Sequence, residues 1–258
     1  MKVSHVGMGV VIIDELFSID DDILENYLNW LKRAPENTFE YYTENDKEYA
    51  KNKTGFIFEA KDIKYAPQRF LDVKGKNRQD KPNQEYIEII DYLEDSAYKG
   101  LVEYCKIFRD AATTCWWRPI GHIAGYCKDQ SIGPHCDNQV PFEWGQKTGS
   151  QVSMHSSVSI NLYLNNSVEQ LQNNELSKYV GGELNFPNIP YQWKPKHGSA
   201  AIYPSNYIGR HEVLPVLEGE RYAFLTMACY GTSFDGGEVV GGESEYKIWM
   251  KDLIKDIN

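Results

Sequence analysis

The chain has 258 residues, with 27 Lys+Arg against 37 Asp+Glu, a formal net charge of −10 and 41% hydrophobic residues. This is the composition of a globular protein, and it argues against a duplex nucleic-acid partner, whose phosphates call for a basic face. No run approaches the roughly 20 apolar residues that cross a bilayer; near the N-terminus the longest is Val10–Ile13. Met1-Lys2 leads into polar Ser4 and His5, so a secretory leader is not expected. The five cysteines (Cys105, Cys115, Cys127, Cys136 and Cys229) are odd in number and form no C-x-x-C pair. A reducing, cytoplasmic setting without disulfides or a cysteine zinc site is therefore expected.

In chain order, Ser18-Ile-Asp-Asp21 reads as a capping box that opens a first helix. Ile23, Leu24, Tyr27, Leu28 and Leu31 then recur at helical spacing. Thr54-Gly-Phe-Ile-Phe58 reads as a strand, and Lys74–Lys81 as a polar, basic loop that is either simply solvated or a substrate lid. A second helix is expected from near Pro82. Its stripe is Ile87, Ile90, Tyr98, Leu101, Tyr104 and Phe108, with an interruption expected around Ser96–Gly100.

From Thr113 the texture changes to short β runs separated by Gly, Pro and Asn. These are Trp116–Tyr126, Val152–Leu164, Gly182–Phe186, Ser199–Tyr203, His211–Val216 and Arg221–Tyr230. Ser157–Leu164 alternates polar and apolar residues, the pattern of a half-buried antiparallel strand. Helices first and strands second predict an α+β, mainly β fold, a sandwich or barrel. The expected division is a single domain over 1–258. It comprises a helical support region (1–112), a β core (113–232) and a C-terminal extension (233–258).

Gly133-Pro-His-Cys-Asp137 is the sharpest local feature. Residues i and i+2 of a strand share a face, so His135 and Asp137 can meet one metal while Cys136 turns away. His211 is the natural third ligand, and two His with one carboxylate suit a non-haem Fe(II) centre with open positions. Arg221, across a hairpin from His211, offers a bidentate fork for a carboxylate. Each assignment has a plain alternative: a loop hydrogen-bond pair, a turn histidine, a surface-strand cation.

Taken together the motifs resemble the 2-oxoglutarate- and Fe(II)-dependent dioxygenases, most closely the prolyl 4-hydroxylase-like branch. The resemblance rests on Tyr126, nine residues before His135; on His135-Cys-Asp137; on Tyr163-Leu-Asn165 followed by Gly181-Gly-Glu-Leu-Asn-Phe186; on Pro195–Pro204; and on His211, Pro215-Val216, Gly219 and Arg221. It spans roughly residues 115–232. It implies a double-stranded β-helix (a jelly roll) with N-terminal helices packed on one sheet.

It further implies Fe(II) held by His135, Asp137 and His211. 2-Oxoglutarate would have its distal carboxylate on Arg221, with Tyr126 or Tyr163 adding a hydrogen bond. O2 is the oxidant and ascorbate an optional reductant. Retention of Asp137 implies hydroxylation, since the family's halogenases lack this carboxylate.

The substrate expected from that branch is a Pro-containing protein or peptide, with a small amino-acid-like molecule as the alternative. A non-catalytic jelly-roll binding protein is the more distant one. Candidate groove residues are Trp144, Trp116, Trp117 and Phe142, with Lys76 and Arg78 on the lid loop. No nucleic acid or membrane partner is expected, and oligomeric state is not legible. Met227, where related sequences often carry Trp, and the polar stretch Asn166–Val180 depart from the pattern.

Overall fold

The computed structural model describes residues 1–32, 69–71, 84–118, 121–138, 155–172, 176–230, 234–235, 238–239, 247–248 and 250–258. The expected strand at 54–58, the loop at 74–81, and Phe142 and Trp144 lie outside the described residues.

The chain opens with a hairpin, β1 (Lys2–Gly7) and β2 (Val10–Asp14), followed by helix α1 (Asp21–Lys32). The cap of α1 differs from the capping box expected at Ser18. Asp20 Oδ1 accepts from the backbone N–H groups of Asp22 (3.0 Å) and Ile23 (3.3 Å), and the first helical bond runs from Leu24 N to Asp20 O. A carboxylate this close to the free N–H groups also meets the positive end of the helix dipole, so Asp20 takes the site. The Ser18 N–H is bonded instead to the Tyr92 phenol.

After β3 (Arg69–Leu71) comes the long helix α2 (Gln84–Ile107). It runs without the interruption expected at Ser96–Gly100. Ser96 Oγ bonds back to the Tyr92 carbonyl at 2.7 Å, which satisfies the hydroxyl inside the helix. Gly100 lets the helix lie close to the sheet, since a Cβ there would stand 2.9 Å from Ile202 Cδ1. Of the expected stripe, Ile90, Leu101 and Tyr104 are buried and Tyr98 and Phe108 pack on the same core, while Ile87 is exposed and Ile89, Leu93 and Ala97 join the buried face.

The strands that follow are β4 (Trp117–Arg118), β5 (His122–Tyr126), β6 (Ile132–His135), β7 (Ser156–Tyr163), β8 (Asn166–Val168) and β9 (Lys178–Gly181). Then come β10 (Leu184–Phe186), β11 (Tyr191–Trp193), β12 (Ala200–Pro204), β13 (His211–Val213), β14 (Val216–Gly219) and β15 (Arg221–Cys229). Two small pieces, β16 (Phe234–Asp235) and β17 (Glu238–Val239), pair with each other; β18 (Lys247–Ile248) and helix α3 (Met250–Asp256) end the chain.

The large sheet has the order β1-β2-β12-β7-β15-β4-β18, with β5 also on β15 and β3 on β5. Facing it are a four-stranded sheet, β11-β10-β13-β6, and a three-stranded one, β14-β9-β8. This is a jelly-roll core, a double-stranded β-helix, with α1 and α2 on the outer face of the large sheet.

Alternation along the strands of the large sheet builds two separate cores. Val11 and Ile13, Ile160 and Leu162, Ile202, and Tyr222 and Phe224 face the helices, where they meet Leu24, Tyr27, Leu28, Leu93 and Leu101. Their neighbours Val10 and Ile12, Tyr163, Ala201 and Tyr203, and Ala223 face the other way, onto Leu184, Phe186, Val213 and Val216. Both faces of β7 are thus buried, and its alternation does not mark a solvent face. The polar residues Ser159 and Asn161 are 1% and 5% exposed, and they look into the barrel.

Candidate metal and co-substrate centre

Register explains how distant residues meet. His135 closes β6 directly opposite His211, the first residue of β13, with ring centroids 4.4 Å apart. Asp137 lies in the turn just beyond β6, and that turn is pinned to the end of β12 by Asn138 N donating to Ser205 O at 3.0 Å. The Asp137 Oδ1 stands 3.5 Å from His135 Nε2 and 3.7 Å from His211 Nε2. Among the described residues, His135, Asp137 and His211 are the group that could hold a metal ion, their ligand atoms all within 4.8 Å of one another. Cys136 stays out of it.

The donor set fits a divalent metal. His135 Nδ1 faces the Gly133 carbonyl at 2.9 Å, and His211 Nδ1 faces that of Gly209 at 3.1 Å. A carbonyl can only accept, so each Nδ1 carries the proton and each Nε2 keeps its lone pair facing Asp137. Burial pushes the His211 imidazole down to about 4, so it is neutral and able to ligate. For His135 burial acts the same way, but the Asp137 carboxylate outweighs it and the imidazole is raised. Burial also works against the Asp137 charge, yet the facing histidines and a Ser159 hydroxyl hold its carboxyl well below the usual range. Side-chain exposure falls from 24% at His135 to 5% at His211, so the centre opens on the His135 side.

Arg221 begins β15 and pairs with Tyr126 of β5. It is 2% exposed and makes no ion pair among the described residues. Its guanidinium lies over both the Tyr126 and the Tyr163 rings, 5.1 Å from each centroid. Tyr163 Oη, Tyr179 Oη and Arg221 Nε are buried without a hydrogen-bond partner. A buried cation among orphaned phenols is costly unless an anion completes it. The Arg221 charge is felt at the metal ligands, where it adds to the burial that lowers the His211 imidazole.

Gly182 makes the space. Its φ is +61°, and a Cβ would lie 3.0 Å from both Arg221 Cδ and Tyr179 Cε2. Asn165 holds the strand junction: its amide donates to the Leu176 and Glu220 carbonyls, and its Oδ1 accepts from Tyr222 N.

Sequence reasoning did not single out Tyr179, Tyr203, Asn161, Ser159 or Ser205. Tyr179 comes from β9, within the stretch read only as a polar departure at 166–180. Trp193 was missed too; it meets Tyr163 edge to face at 5.0 Å. Trp116, offered as a groove residue, is 39% exposed and bonds Thr113 O at the far end of β15, beside Cys229. It stands eight residues along that strand from Arg221, away from the metal group. Trp144, Lys76 and Arg78 lie outside the described residues. His197, expected to be structural or exposed, uses both ring nitrogens on backbone, Ile19 N and Leu164 O. Met227 accepts from Ser156 Oγ at 2.8 Å.

Residues 121–240 match the model of the 2OG-Fe(II) oxygenase superfamily. Over these residues, just under half of the chain, the protein is similar to that superfamily. Fe(II), 2-oxoglutarate and O2 are the cofactor and co-substrates of that family, and the His-Asp-His group that could hold a metal lies within the matched residues.

The fold is also that of a prolyl hydroxylase from Trichoplax adhaerens, solved with a hypoxia inducible factor oxygen degradation domain peptide fragment. The two share 18% identity over 86% of this chain and 84% of the other, with a TM-score of 0.55. A viral collagen prolyl hydroxylase from Paramecium bursaria Chlorella virus-1, in its 2OG complex, shares 16% identity over 86% and 96%, TM-score 0.48. A Pseudomonas putida prolyl-4-hydroxylase shares 17% over 87% and 94%, TM-score 0.45. No curated protein matches the chain. Among the described residues no helix is long and apolar enough to cross a membrane.

Proposed function

We propose that this oxygenase hydroxylates a C–H bond of a prolyl residue in a protein or peptide, with His135, Asp137 and His211 holding Fe(II) and Arg221 holding the distal carboxylate of 2-oxoglutarate. One observation carries the co-substrate assignment: a buried guanidinium whose Nε lacks a hydrogen-bond partner, set among the buried Tyr163 and Tyr179 phenols in the same barrel as a three-ligand metal group. A dicarboxylate satisfies both ends at once, one carboxylate at the metal and one at the fork.

When bound, Fe(II) with 2-oxoglutarate and O2 supplies the oxidising chemistry, 2-oxoglutarate leaving as succinate and CO2 while one oxygen atom enters the substrate. The chain's own residues bind, orient and shield. The carbonyls of Gly133 and Gly209 fix the two imidazoles with Nε2 inward. Arg221 and the phenols orient the dicarboxylate, and the apolar wall of Leu184, Phe186, Val213 and Val216 excludes water. The side chain set leaves positions opposite the three ligands open for co-substrate and oxygen, unlike a closed four-ligand structural zinc site.

The prolyl substrate is supported by the sequence motifs and by the peptide-bound relative of the same fold. Incubation with Fe(II), 2-oxoglutarate and a Pro-rich peptide library should add one oxygen atom at Pro, read by mass spectrometry. Modification only at other residues, or only of free amino acids, moves the substrate to the small-molecule class.

A further inference from the structure

Ser205 follows β12 directly and is 1% exposed. It ties three pieces of chain together. Its backbone N–H donates to Ser157 O of β7 at 2.9 Å, and its carbonyl accepts from Asn138 N, one residue past Asp137, at 3.0 Å. Its hydroxyl meets the Ser159 hydroxyl at 2.8 Å. Both backbone bonds are available to an alanine as well, so they do not account for the hydroxyl.

Counting hydrogens gives the direction of these bonds. Ser159 is 1% exposed and looks into the barrel, where the Asp137 carboxylate accepts from its hydroxyl. An ionised carboxylate can only accept, so the single Ser159 hydrogen goes to Asp137. The Ser159 oxygen must then accept, and Ser205 Oγ is the donor to it. The relay runs one way, from Ser205 to Ser159 to Asp137. The Tyr203 phenol, held by Asn161 Nδ2 at 2.7 Å, also faces the carboxylate. Asp137 lies in a turn, so no strand pairing fixes its side chain. Yet its Oδ1 stands 3.5 Å from His135 Nε2 and 3.7 Å from His211 Nε2, the arrangement a shared metal needs.

We propose that Ser205 is a positioning residue of the metal centre: through Ser159 it fixes the rotation of the Asp137 carboxylate, so that Oδ1 faces both imidazoles before a metal arrives. The inference rests on the oxygenase reading above for the metal. It adds the support of the one ligand that no strand holds.

The test is a cycle of Ser205→Ala, Ser159→Ala and the double variant, each titrated anaerobically with Fe(II) alone. Each substitution removes one oxygen and adds no bulk, so the metal-free proteins should keep the circular dichroism of wild type. Fe(II) binding should weaken by roughly ten- to a hundredfold in Ser159→Ala, the usual cost of losing a ligand's support. Ser205→Ala should also bind Fe(II) more weakly, and the double variant no more weakly than Ser159→Ala, because the relay acts through a single oxygen. Wild-type Fe(II) affinity in Ser205→Ala overturns the inference. Losses that multiply in the double variant overturn it too, since Ser205 would then act by another route. So does a metal-free Ser205→Ala that has lost its fold, since the residue would then serve the barrel and not the ligand. Wild-type protein that binds no Fe(II) refutes the oxygenase reading and the relay together. If wild type binds Fe(II), forms no charge-transfer band with 2-oxoglutarate, and shows the expected cycle, the relay is upheld and the oxygenase reading alone fails.

Discussion

At the residue scale, the donors of the candidate centre are few and each has a backing partner. Gly209 shows how tightly that backing is built. A Cβ there would lie 2.0 Å from the Pro204 carbonyl oxygen, so an alanine must move the turn whose carbonyl orients His211. Gly209→Ala is expected to weaken Fe(II) binding about tenfold or more, the usual cost of disturbing a ligand's support; an unchanged titration would contradict it. Arg221→Lys keeps the charge but loses the planar fork stacked between Tyr126 and Tyr163. It should raise the KM for 2-oxoglutarate by about tenfold and leave Fe(II) affinity alone; parallel loss of both would mean that Arg221 only supports the fold. His135, Asp137 and Arg221 are legible in the sequence because spacing within a strand and its turn, or across one hairpin, places them. Tyr179 and Tyr203 are not, because an aromatic on a strand reads as core until a distant strand shows what its hydroxyl meets.

At the element scale, the alternation of Ser157–Leu164 is legible as a strand, yet its polar face could not be assigned. A polar face toward solvent and one lining a barrel have the same period, and only the facing sheet decides between them. The caps of α1 mislead for a related reason: Ser18 and Asp20 are both good caps, and the stronger acceptor two residues on takes the N–H groups. The tie between α2 and the sheet is a buried ion pair, Glu94 to Arg118 at 2.5 Å, each 3% exposed. The partners are 24 residues apart and no local pattern links them. Glu94→Ala leaves the Arg118 charge buried, and a loss of about 3–5 kcal/mol in urea unfolding is expected. A loss under about 1 kcal/mol would mean that water screens the pair like a surface bridge.

At the scale of the whole molecule, the net charge of −10 describes the surface rather than the centre. Residues 184–211 carry no Asp or Glu but do carry Lys194, Lys196 and Arg210, and Arg221 is buried beside the metal group. An acidic exterior around a cationic pocket suits a small dicarboxylate and argues against nucleic acid. If one carboxylate needs the metal and the other Arg221, 2-oxoglutarate should stabilise the fold only with metal present, by about 2.7 kcal/mol at a hundredfold excess over Kd. Equal thermal shifts with and without Fe(II) would contradict that coupling. The most direct measurement is the anaerobic visible spectrum of the protein with Fe(II) and 2-oxoglutarate. The account predicts a charge-transfer band in wild type that is lost in Asp137→Ala. No band in wild type, or a band of full strength in Asp137→Ala, would contradict it.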